Sequence, residues 1–308
     1  MPEIHVARSV LINAPAEKVY PAVADLTHMQ AWSPWLIMEP EARVEVKRDG
    51  LFYEWEGKRV GSGNMEVTDS RENKWVNYDL TFLKPWKSTA KVRFELKEKG
   101  ENSTEATWYM DSSLPFFMFW MKKQMEAYIG MDYTRGLNML KEYVEDGEVH
   151  SKLLFGDRTV YPGCEYVGIH RECPLDKMGT SMEEDFTKLG EYLKDRPEMA
   201  AGNSFSIYHN FDMVNEKAAY TAAIPVAHIP SDLPDGMTSG SVPETEIMTV
   251  THVGPYQHLG NAWSTLYSME RNKEFKQNKK TDPFEVYRNT PGEAADEELI
   301  TEVNFPVK

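Results

Sequence analysis

The sequence predicts an α+β protein of two domains, and three observations carry that prediction. Residues 1–150 alternate apolar and polar side chains at the strand period and then close on one long stretch at helical spacing. Residues 155–308 contain two near-copies of a strand pair: FSIYHNF (205–211) with YTAAIPV (220–226), and FEVYRNT (284–290) with ITEVNFPV (300–307), offset by 79 to 81 residues. A chain of 308 residues is also long enough for two cores of ordinary size.

Composition narrows the function classes. With 41% hydrophobic and 27% charged residues the chain is an ordinary globular protein rather than a disordered one. Its net charge of −15 is unevenly placed, about −5 in residues 1–150 and −10 in residues 151–308. That balance repels phosphate backbones and disfavours anionic membranes, so neither nucleic acid nor a membrane is expected as a partner. No window reaches 18 uninterrupted apolar residues and MPEIHVARSV lacks a secretory pattern, which predicts a cytoplasmic protein. Cys164 and Cys173 flank EYVGIHRE and are expected as structural thiols. His170 is too little company for a metal, so no metal and no cofactor is expected.

The elements follow in order. HVARSVLINA places Val6, Val10 and Ile12 on one face of a strand that Pro15 ends, and PAEKVYPAVADLTHMQAW continues as a helix. RVEVKR, LFYEWEG, GSGNMEVTDS, KWVNYDLTFL, STAKVRFELKEKG and STEATWYMDS read as an antiparallel meander. GKRVGSG, at 57–63, fits a turn and not a dinucleotide fingerprint. Leu114 to about Glu145 returns to helical spacing, a helix of about 30 residues and about 45 Å. Its start, LPFFMFWMKK, is apolar on nearly every side and is expected to be buried against the sheet or the second domain. DGEVHSKLLFGDRT (146–159) reads as a charged linker with the domain boundary near 152. Beyond it come two rounds of strand, helix, strand, strand: EYVGIHRE, MEEDFTKLGEYLKDR, NSFSIYHNF and KAAYTAAIPV, then TEIMTVTHVG, NAWSTLYSMERNKEF, FEVYRNT and ELITEVNFPV. Two βαββ units would join their sheets and leave a concave groove, expected opposite the helices.

Two resemblances attach to these residues. INAPAEKVYPAVADLTHMQAWSPW and DYTRGLNMLKEYVED resemble the opening and closing segments of the START-like superfamily, which includes polyketide cyclases (SRPBCC proteins). This implies a helix-grip domain over residues 1–150, an antiparallel sheet around a long C-terminal helix enclosing an apolar cavity. Trp32, Trp35, Tyr53, Trp55, Trp75, Tyr78, Trp86 and Trp108 are numerous enough to line such a cavity, or to be ordinary core aromatics. Gly168 and His170 in the first strand, HVGPYQHL (252–259), FEVYRNTP and TEVNFPV resemble the GyrI-like family, the effector-binding domain of AraC-type and multidrug-sensing regulators. This implies a duplicated βαββ effector-binding fold over residues 155–308.

Aligning Pro306 with Pro225 sets Glu302 against Thr221, so a carboxylate stands in one copy of the strand only. Strand alternation puts Leu299, Thr301, Val303, Phe305 and Val307 on the helix side and Glu302 on the other, where the groove is expected. Glu302 reads either as a solvated residue on an open sheet face or, as the resemblance implies, as the groove glutamate. Tyr208 and Tyr287 occupy equivalent places in the copies, and Tyr256 and Trp263 bracket the second helix start, so all four are candidate groove linings. His252 and His258 read as turn or packing residues more readily than as general bases.

The expected function is capture of a hydrophobic small molecule, cationic or electrophilic, in an aromatic groove with a single glutamate. The resemblance also implies an alternative, hydrolysis of cyclopropane-bearing electrophiles with Glu302 as general base and Tyr287 as proton donor. A third reading is a regulatory adaptor acting through protein contacts.

Overall fold

The computed structural model describes residues 2–308, which form two compact units, residues 2–150 and 151–308. In the first, β1 (Glu3–Ile12) is followed by α1 (Ala16–Ala24) and the short α2 (Met29–Trp32). The helix expected over 15–32 breaks at Asp25, whose carboxylate accepts from the Thr27 amide (2.9 Å) and hydroxyl (2.7 Å), a local bond that competes with helix continuation. The six meander strands are all present: β2 (Arg43–Lys47), β3 (Phe52–Glu56), β4 (Ser62–Arg71), β5 (Trp75–Lys84), β6 (Ser88–Glu98) and β7 (Thr104–Ser113). They form one antiparallel sheet in the order β1-β7-β6-β5-β4-β3-β2, so the first strand closes beside the last.

The closing helix α3 (Lys122–Asp146) has 25 residues, about 37 Å at 1.5 Å per residue, and stops at Gly147, which takes the left-handed conformation (φ 92°) that glycine adopts without penalty. Gly136 lets α3 seat on the sheet, because a Cβ there would lie 2.8 Å from the Trp108 ring. Trp108 is sandwiched between Tyr133 of α3 (centroids 3.9 Å apart) and Phe94 (4.9 Å). Trp32, Tyr53, Tyr78 and Trp108 lie in the core, with Trp35 and Trp55 packed against it, whereas Trp86 is 62% exposed. The expected burial of LPFFMFWMKK holds for Leu114 and in part for Met118, and is overturned for Phe116, Phe117, Phe119 and Trp120. Residues Phe116–Met121 form a 3-10 turn with no buried side chain, and Phe116 is 77% exposed.

The second unit opens with a strand where a linker was expected. β8 (Lys152–Tyr161) pairs with β13 across a bulge at Gly156 and Asp157. Then come β9 (Cys164–Pro174), α4 (Met178–Leu193), β10 (Phe205–Asp212), β11 (Lys217–Val226), β12 (Thr238–Val242), β13 (Thr245–Val253), α5 (Gly260–Arg271), β14 (Phe284–Tyr287) and β15 (Ile300–Pro306). The eight strands form one antiparallel sheet, β12-β9-β11-β10-β14-β15-β13-β8. β10 and β14, the first strand of each duplicated pair, meet at its centre with Ser206 opposite Glu285. The pseudo-twofold of the duplication therefore passes between those two residues.

The two faces of this sheet are filled differently. On one lie α4 and α5: Asp185 of α4 accepts from Tyr220 of β11, and Trp263 of α5 packs on Phe305 of β15. On the other lies a second core of Phe205, Ile207, Ala223, Val242, Ile247, Phe284 and Val286. The sheet curls over that core: Tyr161, at the end of edge strand β8, lies 4.8 Å from Phe284 of β14. Among the described residues the face opposite the helices thus holds a core of its own where an open groove was expected. Both cysteines are free thiols on β9, and the Tyr161 hydroxyl donates to Cys164 Sγ.

Candidate functional site

The central strand β14 reads FEVY, so Glu285 and Tyr287 point to one face and Phe284 and Val286 to the other. Val286 and Phe284 join the second core, which turns Glu285 and Tyr287 toward the helices. Glu285 is 2% exposed and is held by three neutral donors. The hydroxyls of Tyr208 (2.6 Å) and Tyr287 (2.8 Å) donate to Oε2, and the Trp263 indole N–H donates to Oε1. Two of these come from the same positions of the two copies, Tyr208 and Tyr287. Ser206 occupies the place of Glu285 in the first copy, and its hydroxyl lies 3.1 Å from the Tyr287 oxygen. Because the single Tyr287 proton is directed to the carboxylate, Ser206 is the donor in that contact.

Around this centre the aromatic rings close in. Phe211 stacks on Tyr208 (5.2 Å), Trp263 meets Tyr208 edge-on (5.0 Å), and Phe186 of α4 meets Tyr287 edge-on (5.6 Å). Tyr256 lies 5.9 Å from Tyr287 and is 39% exposed, at the mouth of the cluster. Burial pushes the Glu285 carboxyl above the usual carboxylate range, and its three hydrogen bonds pull it part of the way back. The Tyr208 and Tyr287 hydroxyls are raised well above theirs, first by the same burial and then by the neighbouring carboxylate. Tyr256 is pushed up to about 12, chiefly by burial. Among the described residues Glu285 has no ion-pair partner. It is a buried carboxylate compensated only by neutral groups.

The structure thus gathers Tyr208, Tyr256, Trp263 and Tyr287 around one carboxylate, and the expectation that this is Glu302 is overturned. Glu302 pairs across the sheet with Val286, on the face of the second core, and its side chain, 25% exposed, accepts from Arg288 Nη2 at 2.7 Å. The predicted strand alternation is correct. The site lies between the helices rather than opposite them, so the reading of Glu302 as general base with Tyr287 as its acid has no geometric basis. Asp185 forms the other buried carboxylate centre, but it is paired: Arg171 Nε (2.9 Å) and the Tyr220 hydroxyl (2.9 Å) both donate to Oδ2.

His252 and His258 are buried, at 0% and 1% exposure, and offer nothing to solvent. His252 Nε2 lies 3.0 Å from Ser151 Oγ, and burial holds this imidazole neutral down to about pH 4. The folded value lies below the unfolded value near 6.5, so the stabilisation is complete above about pH 6.5 and is lost as pH falls toward 4. Urea unfolding should show stability dropping over that interval by up to about 3 kcal/mol from this group, and His252→Leu should flatten that part of the profile. An unchanged profile in the variant would remove His252 from the acid response. Among the described residues, Glu142, Asp146 and His150 could in principle share a metal ion, with ligand atoms within 4.8 Å of one another. They already close the end of α3, where the His150 amide donates to Glu142 (2.8 Å).

The second unit is thus an antiparallel sheet carrying two pseudo-symmetric helices over a buried aromatic centre. Comparison with known families agrees in both halves. Residues 161–308 match the GyrI-like small molecule binding domain, and residues 3–145 match the family described as polyketide cyclase / dehydrase and lipid transport. The chain belongs to both families as a fusion, a polyketide cyclase-type (START-like) helix-grip domain followed by a GyrI-like small-molecule-binding domain. No curated protein matches it. Solved structures with some likeness include EcmrR bound to DNA (18% identity, 61% of this chain and 69% of that one, TM-score 0.44). Others are SAV2435 bound to tetraphenylphosphonium (14%, 50% and 94%, TM-score 0.40) and the Aha1 dimer from Colwellia psychrerythraea (19%, 47% and 98%, TM-score 0.35). These likenesses are too distant to assign a ligand. Among the described residues no helix is long and apolar enough to cross a membrane.

Proposed function

We propose that the GyrI-like domain captures a lipophilic aromatic cation, with its positive charge against Glu285 and its rings among Tyr208, Tyr256, Trp263 and Tyr287. The observation that carries this reading is the uncompensated charge of Glu285. A carboxylate taken out of water needs a counter-charge, and neutral donors satisfy its lone pairs without neutralising it. A cation supplies the missing charge, and desolvated aromatic faces add about 0.5–2 kcal/mol each. In the folded chain the rings pack against one another over the carboxylate, so admission requires the α4 side, with Phe186, and the α5 side, with Trp263, to part.

The charge requirement is tested with a matched pair of probes. Tetraphenylphosphonium should bind and quench the fluorescence of Trp263, read as the difference from Trp263→Phe, whereas the neutral triphenylphosphine oxide should bind at least about 10-fold more weakly. Equal binding of both would leave an apolar pocket in which Glu285 has no role. Glu302→Gln should leave the affinity for the cation unchanged, because Glu302 faces the second core and is already paired with Arg288.

A further inference from the structure

The helix-grip domain carries a surface that the ligand site does not explain. Among the described residues five large apolar side chains exceed 60% exposure: Trp86 (62%), Phe116 (77%), Phe117 (74%), Phe119 (62%) and Trp120 (67%). All five lie at one end of the first sheet. Trp86 is at the tip of the β5–β6 hairpin, and the 3-10 turn Phe116–Met121 leaves β7 beside it. Their adjacency follows from the register, since Phe82 pairs with Ser88, Ala90 pairs with Ser112, and Ser112 Oγ donates to the Thr89 carbonyl (2.8 Å).

Two features say what covers this tip. First, Met118 seats the turn on the core while Phe116, Phe117, Phe119 and Trp120 all point into solvent. Four large apolar side chains projecting around one short turn suit insertion into an apolar medium, and tryptophan is the side chain suited to the boundary of that medium. Second, the tip itself carries cations in an acidic chain, and two of them are unpaired among the described residues. Residues 80–90 and 112–125 contain Lys84, Lys87, Lys122 and Lys123 and no Asp or Glu, in a protein of net charge −15. Lys84 and Lys122 are paired with Glu56 and Glu126, which leaves Lys87 and Lys123 outside any ion pair among the described residues. Other acids at this end of the sheet are already engaged, Glu3 and Asp111 by His5 and Asp79 by Lys91.

We infer that this tip docks on an anionic lipid surface, with Trp86, Phe116, Phe117, Phe119 and Trp120 entering the boundary between headgroups and acyl chains and Lys87 and Lys123 lying at the phosphate level. The expectation against membranes came from whole-chain charge, whereas the unpaired charges at the tip are Lys87 and Lys123. The inference is independent of the ligand site, which lies in the other domain.

Sedimentation of the full chain with vesicles tests it. Vesicles of phosphatidylcholine with about one third phosphatidylserine should pellet the protein, and pure phosphatidylcholine should pellet much less. Phe116→Ser/Phe117→Ser/Trp120→Ser should reduce partitioning by more than about 10-fold. Lys87→Glu/Lys123→Glu, which keeps every apolar residue, should reduce it for the anionic vesicles and remove the salt sensitivity. Circular dichroism should show both variants folded, as expected for exposed positions. Wild-type protein remaining in the supernatant would overturn the inference, and so would pelleting that neither variant diminishes. A concentration-dependent dimer in ultracentrifugation that the serine variant abolishes, without vesicle binding, would assign the tip to a second copy of the chain and overturn it equally.

Discussion

Glu285→Gln should abolish high-affinity cation binding while leaving the protein at least as stable as the wild type. Removing one member of a buried charge pair costs about 2–5 kcal/mol of binding, so affinity for tetraphenylphosphonium should fall on the order of 100-fold. Stability moves the other way because of the carboxyl's environment. Its folded pKa is raised, chiefly by burial, so ionising it costs more in the folded state than in the unfolded chain. Stability from this group is therefore present at low pH and is lost as pH rises through the unfolded value and on to the folded one, leaving the ionised carboxylate as a cost above that window. Glutamine removes that cost and still fits the donors. Its carbonyl can accept from Trp263 and its amide can face the two tyrosine oxygens, whose protons rotate. Thermal melts at pH 7 and pH 4.5 should show the variant's advantage shrinking at the lower pH. A variant that is both much less stable and unchanged in affinity would contradict this account on both counts.

Asp185→Ala should be the most damaging single change in the second domain. Asp185 is fully buried and receives Arg171 and Tyr220, so its loss leaves the Tyr220 hydroxyl without its acceptor and Arg171 with only the more exposed Glu184, 3.5 Å away. Breaking such a pair costs about 3–5 kcal/mol when fully buried; Arg171 retains some contact with water, which places the expectation toward the lower end. A domain of this size loses about 2–4 °C per kcal/mol, so a drop on the order of 10 °C in the melting temperature is expected. Tyr220→Phe, which keeps the ion pair, should cost only about 1 kcal/mol. Phe186 follows Asp185 in α4 and packs on Tyr287, so the alanine variant should also weaken ligand binding. A melting temperature unchanged in Asp185→Ala would show that α4 is held by its apolar contacts alone.

Much of the architecture was legible in the sequence, because both periodicities are strong where a face is buried. The six meander strands and the two βαββ rounds follow from alternation and turn residues, and the duplication correctly indicates a pseudo-symmetric sheet. The edge strands of the second sheet, β8 and β12, were not legible. In β8 the side chains after Leu153 are mostly exposed, so no buried face writes a pattern into KLLFGDRTVY, and charge and glycine there imitate a linker. The aromatic members of the candidate site were legible as symmetric tyrosines and a helix-start tryptophan. Its carboxylate was not, because the face was chosen on the expectation of an open groove opposite the helices. The signal was present in the same duplication: at an offset of 79, FSIY and FEVY set Ser206 against Glu285, one step from the tyrosines. What sequence periodicity could not show is that the sheet curls until Tyr161 reaches Phe284 and turns the far face into core. The exposed turn Phe116–Met121 shows the reverse limit: apolar residues on every side were read as burial, and the chain leaves Phe116, Phe117, Phe119 and Trp120 in solvent.

The central claim is that the chemistry of the GyrI-like domain centres on Glu285 and not on Glu302. Isothermal titration of tetraphenylphosphonium into wild type, Glu285→Gln and Glu302→Gln, side by side, tests it most directly. The account predicts wild-type affinity for Glu302→Gln and a loss on the order of 100-fold for Glu285→Gln. Equal affinity in the wild type and Glu285→Gln, or loss confined to Glu302→Gln, would contradict it.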